Sequence, residues 1–466
     1  MPKKGTAIVW FRRDLRIQDH PALAAASEYE AVLPIYIDDP KRDGDWPMGQ
    51  ASRWWVSKSL AVLDQALTEL GAGLYIHQGD TTDLLTELIK AHGVSAVFWN
   101  RLYDPATVSA DKTLKETLRS SFEADGLVVG SFCAHVLKEP WHMLKKDGTP
   151  YLVFTPYWKH FQATWSAPER VPAPTRLKPV GSTDSLAQVM PTDLIAPHAW
   201  QEKLEAHWEP GCVMAQQRLD LFSKEGVADY ESLRNRPDQA GTSALSPHLH
   251  FGEISVGQVI RAFDPAGELP LGQGPLSYVR EIVWREFSHY LLFYYPHLAD
   301  QPLKPVFNEF PWRAPQDYRD DLKAWQRGNT GVPMVDAGMR QLWATGWMHN
   351  RVRMVVASYL TKNLLIPWQE GARWFWDTLV DADLANNTQG WQWTAGCGAD
   401  ASPYFRVFNP VLQGEKFDPK GEYVKRWCPE QKFHDKKTVH LPKEGIDLKA
   451  QRQRALDAYA AIKKSR

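Results

Sequence analysis

Over roughly the first 130 residues, short apolar runs alternate with longer amphipathic ones, the pattern of an α/β unit. Thr6–Phe11, Val32–Ile37, Leu74–His77, Ala96–Trp99 and Leu127–Val129 read as strands. Between them, Ala51–Leu70 and Thr82–His92 carry helical spacing. The alternation predicts a doubly wound parallel sheet, Rossmann-like in plan, over residues 1–132. No GxGxxG follows the first strand, where Trp10-Phe11-Arg12-Arg13-Asp14-Leu15-Arg16 stands instead, so the main cofactor is expected elsewhere.

Six prolines between Pro168 and Pro197 mark an irregular surface connector, placed over residues 133–200. From about Ala199 the strand signal fades and long helical patterns take over: Val213–Phe222, Ser277–Tyr295, Val332–Gly346 and Arg351–Asn363. Residues 201–466 therefore read as an all-α domain, with one last exposed helix from Leu448.

Composition changes this picture in two places. Tryptophan, with 21 copies, outnumbers Phe at 18 and Tyr at 16, an excess that needs a reason. Lys and Arg number 54 against 55 Asp and Glu, so there is no chain-wide basic footprint for nucleic acid, although a local one is allowed. The four cysteines are scattered without a CxxC pair, which fits a reducing compartment rather than a zinc site or disulfide framework. With no signal peptide and no membrane-length apolar run, a soluble cytoplasmic protein is expected.

Three segments of the helical half carry chemistry. Gly241-Thr242-Ser243-Ala244-Leu245-Ser246-Pro247 is a hydroxyl-rich turn ahead of a helix, either an ordinary N-cap or an anion site for a cofactor's phosphates. Between Ala337 and Gln369 stand four basic residues, Arg340, Arg351, Arg353 and Lys362, and no acidic one, interleaved with Trp and Met. Such a stripe suits a phosphate backbone with an unstacked base beside it, or a buried Trp-rich helix face. Asp381-Ala382-Asp383-Leu384-Ala385-Asn386-Asn387-Thr388-Gln389-Gly390-Trp391-Gln392-Trp393 packs carboxylates, amides and indoles too densely for core alone, since each buried polar group needs a partner. It fits a polar heterocycle such as a flavin; a divalent metal or an acid–base pair is the alternative.

Taken together with WFRRDLRIQD at Trp10–Asp19, EIVWREF at Glu281–Phe287 and YFRVFNP at Tyr404–Pro410, these motifs make the chain resemble the photolyase/cryptochrome family of blue-light flavoproteins over nearly its full length. The resemblance implies FAD, folded into a U in the helical domain. Tyr230, Thr242, Ser243, Ala244, Leu245 and Ser246 would hold its phosphates and sugar, and Arg353 would pair with Asp381 beside the ring. Asp383 would meet the pyrimidine edge and Asn387 the N5 position. No metal is expected.

The family divides into repair enzymes and photoreceptors. Asn387 stands where plant cryptochromes carry Asp and animal ones Cys. His349-Asn350 replaces the His-His pair of six-four photolyases, and the chain stops about 55 residues after Pro410, short of a long signalling tail. These features imply a bacterial-type repair enzyme for cyclobutane pyrimidine dimers in UV-damaged DNA; a cryptochrome-type photoreceptor or a six-four photolyase is the alternative. The flipped dimer would meet Glu281, Trp284, Arg285, Asn350, Met354 and Trp393. Reduced FAD would lend it an electron on excitation and take it back, and Trp391, Trp368 and Trp312 would carry electrons from the surface to restore the reduced state. Arg340 and Arg351 are candidate phosphate contacts. An antenna chromophore, methenyltetrahydrofolate or alternatively a deazaflavin, would sit at Asn100 and Asp104 of a protein expected to be a monomer.

Overall fold

The computed structural model describes residues 3–181, 189–267, 269, 272–401, 405–430 and 439–464. Five strands, β1 (Lys3–Phe11), β2 (Tyr29–Asp38), β3 (Tyr75–Gln78), β4 (Val94–Asn100) and β5 (Val128–Phe132), form one all-parallel sheet in the order β3-β2-β1-β4-β5. Side chains on β1 alternate between two cores: Ala7, Val9 and Phe11 enter one, Ile8 and Trp10 the other. A strand buried on both faces reads as a continuous apolar run, which is how Thr6–Phe11 appears in the sequence. The strand order reverses between β1 and β4, and open α/β sheets bind ligands beyond the strand ends at such a point.

The rest of the chain is helical, built around one continuous core that runs from Trp46 to Ile462. Its central members are the helices Gln273–Tyr294, Pro333–Thr345, Asn350–Ser358, Trp368–Thr378 and Leu384–Ala395. The tail is the helix Leu448–Lys464, which is not exposed all round: Ala455 and Ile462 are buried in that core. Among the described residues, no helix is long and apolar enough to cross a membrane.

The 133–200 connector is not irregular throughout. Phe154–Ala163 forms a helix whose Phe154, Tyr157 and Phe161 are buried in the helical core. The proline signal starts at Pro168, beyond that helix, so it could not announce it. The two halves meet closely at Gly252, which adopts φ 64°; a Cβ there would stand 2.4 Å from the Arg13 carbonyl oxygen. Arg16, fully buried, donates to the Gly252 carbonyl at 2.8 Å across the same junction.

Candidate active site

Three helices converge on a cavity of about 430 Å³. The long Gln273–Tyr294 helix contributes Glu281, Trp284, Arg285 and Ser288, spaced three and four apart so that all lie on one face. The Asn350–Ser358 helix starts where the His349 ring nitrogen Nδ1 accepts from the Arg351 amide at 3.1 Å, and it turns Asn350, Arg353 and Met354 inward by the same spacing. Asp383 caps the Leu384–Ala395 helix, accepting from the Asn386 amide at 2.8 Å, and Asn387, Trp391 and Thr394 follow along its inner face.

Arg353 holds Asp381 through one nitrogen, Nη2, at 3.0 and 2.8 Å from the two carboxylate oxygens. Burial opposes charge on Asp383, but His289, His250 and Arg285 facing it hold its carboxyl well below the usual range. Burial in turn pushes His289 down to about 3, so at neutral pH it stands uncharged, its Nε2 3.3 Å from Asp383 Oδ2. Among the described residues that carboxylate oxygen and the Trp391 indole nitrogen are buried without a hydrogen-bond partner. Asn387 lines the cavity and donates its side-chain amide to the Ala372 carbonyl at 3.0 Å. Carboxylate and amide side chains beside indoles in one cavity wall suit a flat heterocycle carrying both N–H and carbonyl edges, as FAD does.

Other residues singled out from the sequence fall less simply. Arg285 lines the cavity, but its guanidinium turns away to the His135 carbonyl at 2.9 Å, His135 Nε2 at 3.0 Å and Glu286. Arg351 lines it too, donating to Asn235 Oδ1 at 2.6 Å. Arg340 lies outside the lining and is engaged by the Gly328 carbonyl at 2.9 Å and by Glu430, an acid the local sequence could not reveal. The Thr242–Ser246 turn stands beside the cavity rather than in its wall. Ala244 takes φ 51°, Ser243 accepts from the Tyr278 hydroxyl at 2.9 Å, and Ser246 accepts from the Trp347 indole at 3.2 Å. Tyr230 packs edge-on against Tyr278, with ring centroids 5.1 Å apart.

Trp391 is pressed against Gly371, where a Cβ would lie 2.0 Å from the indole, and Trp368 sits one turn earlier on the same helix. Trp312 is half-buried, and its neighbour Arg313 donates through its backbone amide to the Leu365 carbonyl at 3.0 Å, three residues before Trp368. Tyr404 lies outside the described residues.

A second cavity, about 300 Å³, opens at the strand-order reversal, with Trp10, Arg12, Arg13 and Asp104 in its wall. Asp104 pairs with Arg13 and makes no side-chain cap for the helix it precedes. Asn100 does not reach this cavity; it turns inward, donating to Asp14 Oδ2 at 2.7 Å.

Sequence reasoning missed Arg234, whose Nη1 lies 2.5 Å from Glu281 Oε1, and the histidines 135, 250 and 289 gathered around Asp383. They come from four separate segments of the chain, and only the packing of those segments brings them in. Among the described residues His135, His289 and Asp383 are also spaced to hold a metal, but Arg285 already occupies the His135 Nε2 lone pair and places its own charge there.

A family model described as the FAD binding domain of DNA photolyase matches residues 278–463, and one described as DNA photolyase matches residues 7–175. The deoxyribodipyrimidine photo-lyase of Agrobacterium fabrum is 43% identical, with 99% of each chain covered. The chain belongs to the DNA photolyase family. It is a photolyase-type flavoprotein, with the α/β and all-α halves that the sequence resemblance implied. Cryptochrome-2 of Arabidopsis thaliana is 40% identical over 95% of this chain and 73% of its own length. The crystal structure of a bacterial class III photolyase from Agrobacterium tumefaciens superposes with a TM-score of 0.91 at 41% identity, covering 100% of this chain and 99% of that one.

Proposed function

We propose that this photolyase-type lyase splits cyclobutane pyrimidine dimers in UV-damaged DNA with light, acting as a cytoplasmic monomer. One observation carries the reading: Glu281, Trp284, Asn350, Met354 and Trp393, the set suited to a flipped dimer, share a single cavity with Arg353, Asp381, Asp383, Asn387 and Trp391, the set suited to a flavin ring. Reduced FAD, when bound, would supply a photoexcited electron that opens the cyclobutane ring and is then returned, so no net redox change results.

The chain's own part is position and electrostatics. Two indoles wall the dimer, and both are braced from behind: Trp284 stacks on Phe154 with centroids 3.7 Å apart, and Trp393 on Phe408 at 6.3 Å. Met354 adds a soft contact, while Asn350 and Glu281 meet the polar edges of the fused pyrimidines. Arg234, paired with Glu281, puts positive charge where negative charge develops on the dimer. Arg353 and Asp381 fix the ring's surroundings, and Asp383 accepts from its pyrimidine edge. Trp391, Trp368 and Trp312 conduct electrons inward. Arg351, at the cavity rim, is the better phosphate contact; Arg340 is already neutralised. The antenna, methenyltetrahydrofolate or alternatively a deazaflavin, belongs in the second cavity, with Asp104 oriented by Arg13.

Dark binding tests the recognition step. The flavin-loaded protein is expected to bind a dimer-containing oligonucleotide at least about 10³-fold more tightly than the undamaged strand, the low end of specific over non-specific binding. Equal affinities would leave the cavity without its assigned ligand and favour the photoreceptor reading.

A further inference from the structure

Lys362 belongs to the acid-free basic stretch and has no part in the proposed function. It lies in a π-helical turn, Tyr359–Asn363, that continues the Asn350–Ser358 helix, and it is 1% exposed. Such turns are frequent at functional positions. Its Nζ donates to the Arg406 carbonyl at 2.9 Å and stands 3.7 Å from the centroid of the Phe405 ring. One turn earlier, Ser358 Oγ accepts from the Phe408 amide at 3.1 Å. Two side chains of one helical run thus grip the Phe405–Phe408 segment, and Phe408 is the ring behind Trp393.

A buried ammonium ordinarily has a carboxylate partner. Among the described residues Lys362 forms no ion pair. The ionisable groups facing it are the Cys397 thiol, which burial pushes up to about 12 and so keeps neutral, and Lys304, which lies beyond that thiol. From the tail helix, Arg454 binds the Asn363 carbonyl; Tyr359, on the turn itself, is pushed up to about 12. Only a carbonyl and an aromatic face compensate the charge. Burial accordingly brings Lys362 down to about 7.

We propose that Lys362 is a positioning residue for dimer recognition: its ammonium, held between the Arg406 carbonyl and the Phe405 ring, fixes the segment that braces Trp393, and loss of its charge releases that brace. The inference rests on the repair reading of the neighbouring cavity. The neutral amine donates more weakly and has no cation–π attraction, so dimer affinity falls as pH rises through neutrality. Folding stability moves the other way. Between about pH 7 and 10.4 the unfolded chain binds more protons at Lys362 than the folded one, so this residue makes the fold more stable as pH rises. Titration of Lys362 itself therefore removes no stability over that range, and thermal midpoints read beside the affinities separate a released brace from partial unfolding.

The test is dark binding of a dimer-containing oligonucleotide to the flavin-loaded protein from about pH 6 to about 8.5, on either side of the pH at which Lys362 titrates. Wild type is expected to lose about tenfold in affinity over that range, the worth of one charge-assisted hydrogen bond. Lys362→Met should be weaker by a similar factor at the acid end and flatter with pH, whereas Lys362→Arg, charged throughout, should stay tight. Glu286, which burial brings to about 7, titrates in all three proteins, so the difference between profiles isolates Lys362. Ser358→Ala should weaken binding while keeping the wild-type pH dependence. Matching profiles for wild type and Lys362→Met, in a wild type that still repairs dimers under blue light, would overturn the role of Lys362 alone. A wild type that neither discriminates dimers nor repairs them would overturn the repair reading, and this inference with it.

Discussion

Arg353 and Asp381 stand 28 positions apart in the chain, yet both oxygens of that carboxylate face a single guanidinium nitrogen. The Asp381 side chain is only 3% exposed, so removing its partner strands a buried charge. Arg353→Gln is expected to cost about 3 kcal/mol, seen as a lower thermal midpoint and a reduced flavin-to-protein ratio on purification. Acid lability follows from His289. Burial pushes it down to about 3 from an ordinary value of 6.5, so the unfolded chain binds the extra proton between those limits and stability falls as pH drops through them. The depressed carboxyl of Asp383 acts in the same direction, below about pH 4. Thermal unfolding should show the midpoint declining from about pH 6.5 to about 4, and His289→Gln should flatten that slope. Of the contiguous motifs, Asp381–Trp393 lines the cavity at several positions, whereas Thr242–Ser246 does not. Less legible were side chains engaged by a partner from afar: Glu430 pairs with Arg340, His135 accepts from Arg285, and Asp14 draws Asn100 inward.

Among the elements, the strands could be read because runs buried on both faces stay apolar, and β1 came within a few residues of its observed limits. The long helices were equally clear from their spacing. Less visible was the Phe154–Ala163 helix inside the proline-marked connector, which props Trp284. The switch to a π-helical turn at Tyr359 leaves no periodic trace either. Packing between the Trp368–Thr378 and Leu384–Ala395 helices depends on Gly371. A methyl group there would overlap Trp391, so Gly371→Ala should destabilise the fold by about 1–3 kcal/mol and slow photoreduction of the flavin by displacing that indole. Trp391→Phe isolates the electron route: flavin photoreduction in absorbance should be suppressed, while repair by chemically reduced protein persists. Equal loss of both would refute the conducting role.

At the scale of the whole molecule, the near balance of charges concealed how they are placed, and the tryptophan excess has a partial explanation. Trp284, Trp391 and Trp393 line one cavity, and Trp368 and Trp312 are assigned to the proposed electron route. What no sequence pattern could give was convergence, because Glu281, Asn350 and Asp383 meet only when three separate helices pack. DNA affinity should fall linearly on logarithmic axes with salt, at a slope of roughly −0.9 per neutralised phosphate, and Arg351→Ala should make that slope shallower by about one contact. The most direct test is illumination of the flavin-loaded, chemically reduced protein with a dimer-containing oligonucleotide, followed by the recovery of thymine absorbance. Light-dependent recovery, absent in the dark and sharply reduced in Glu281→Ala, is the predicted result; no recovery from a flavin-loaded wild type would contradict the account.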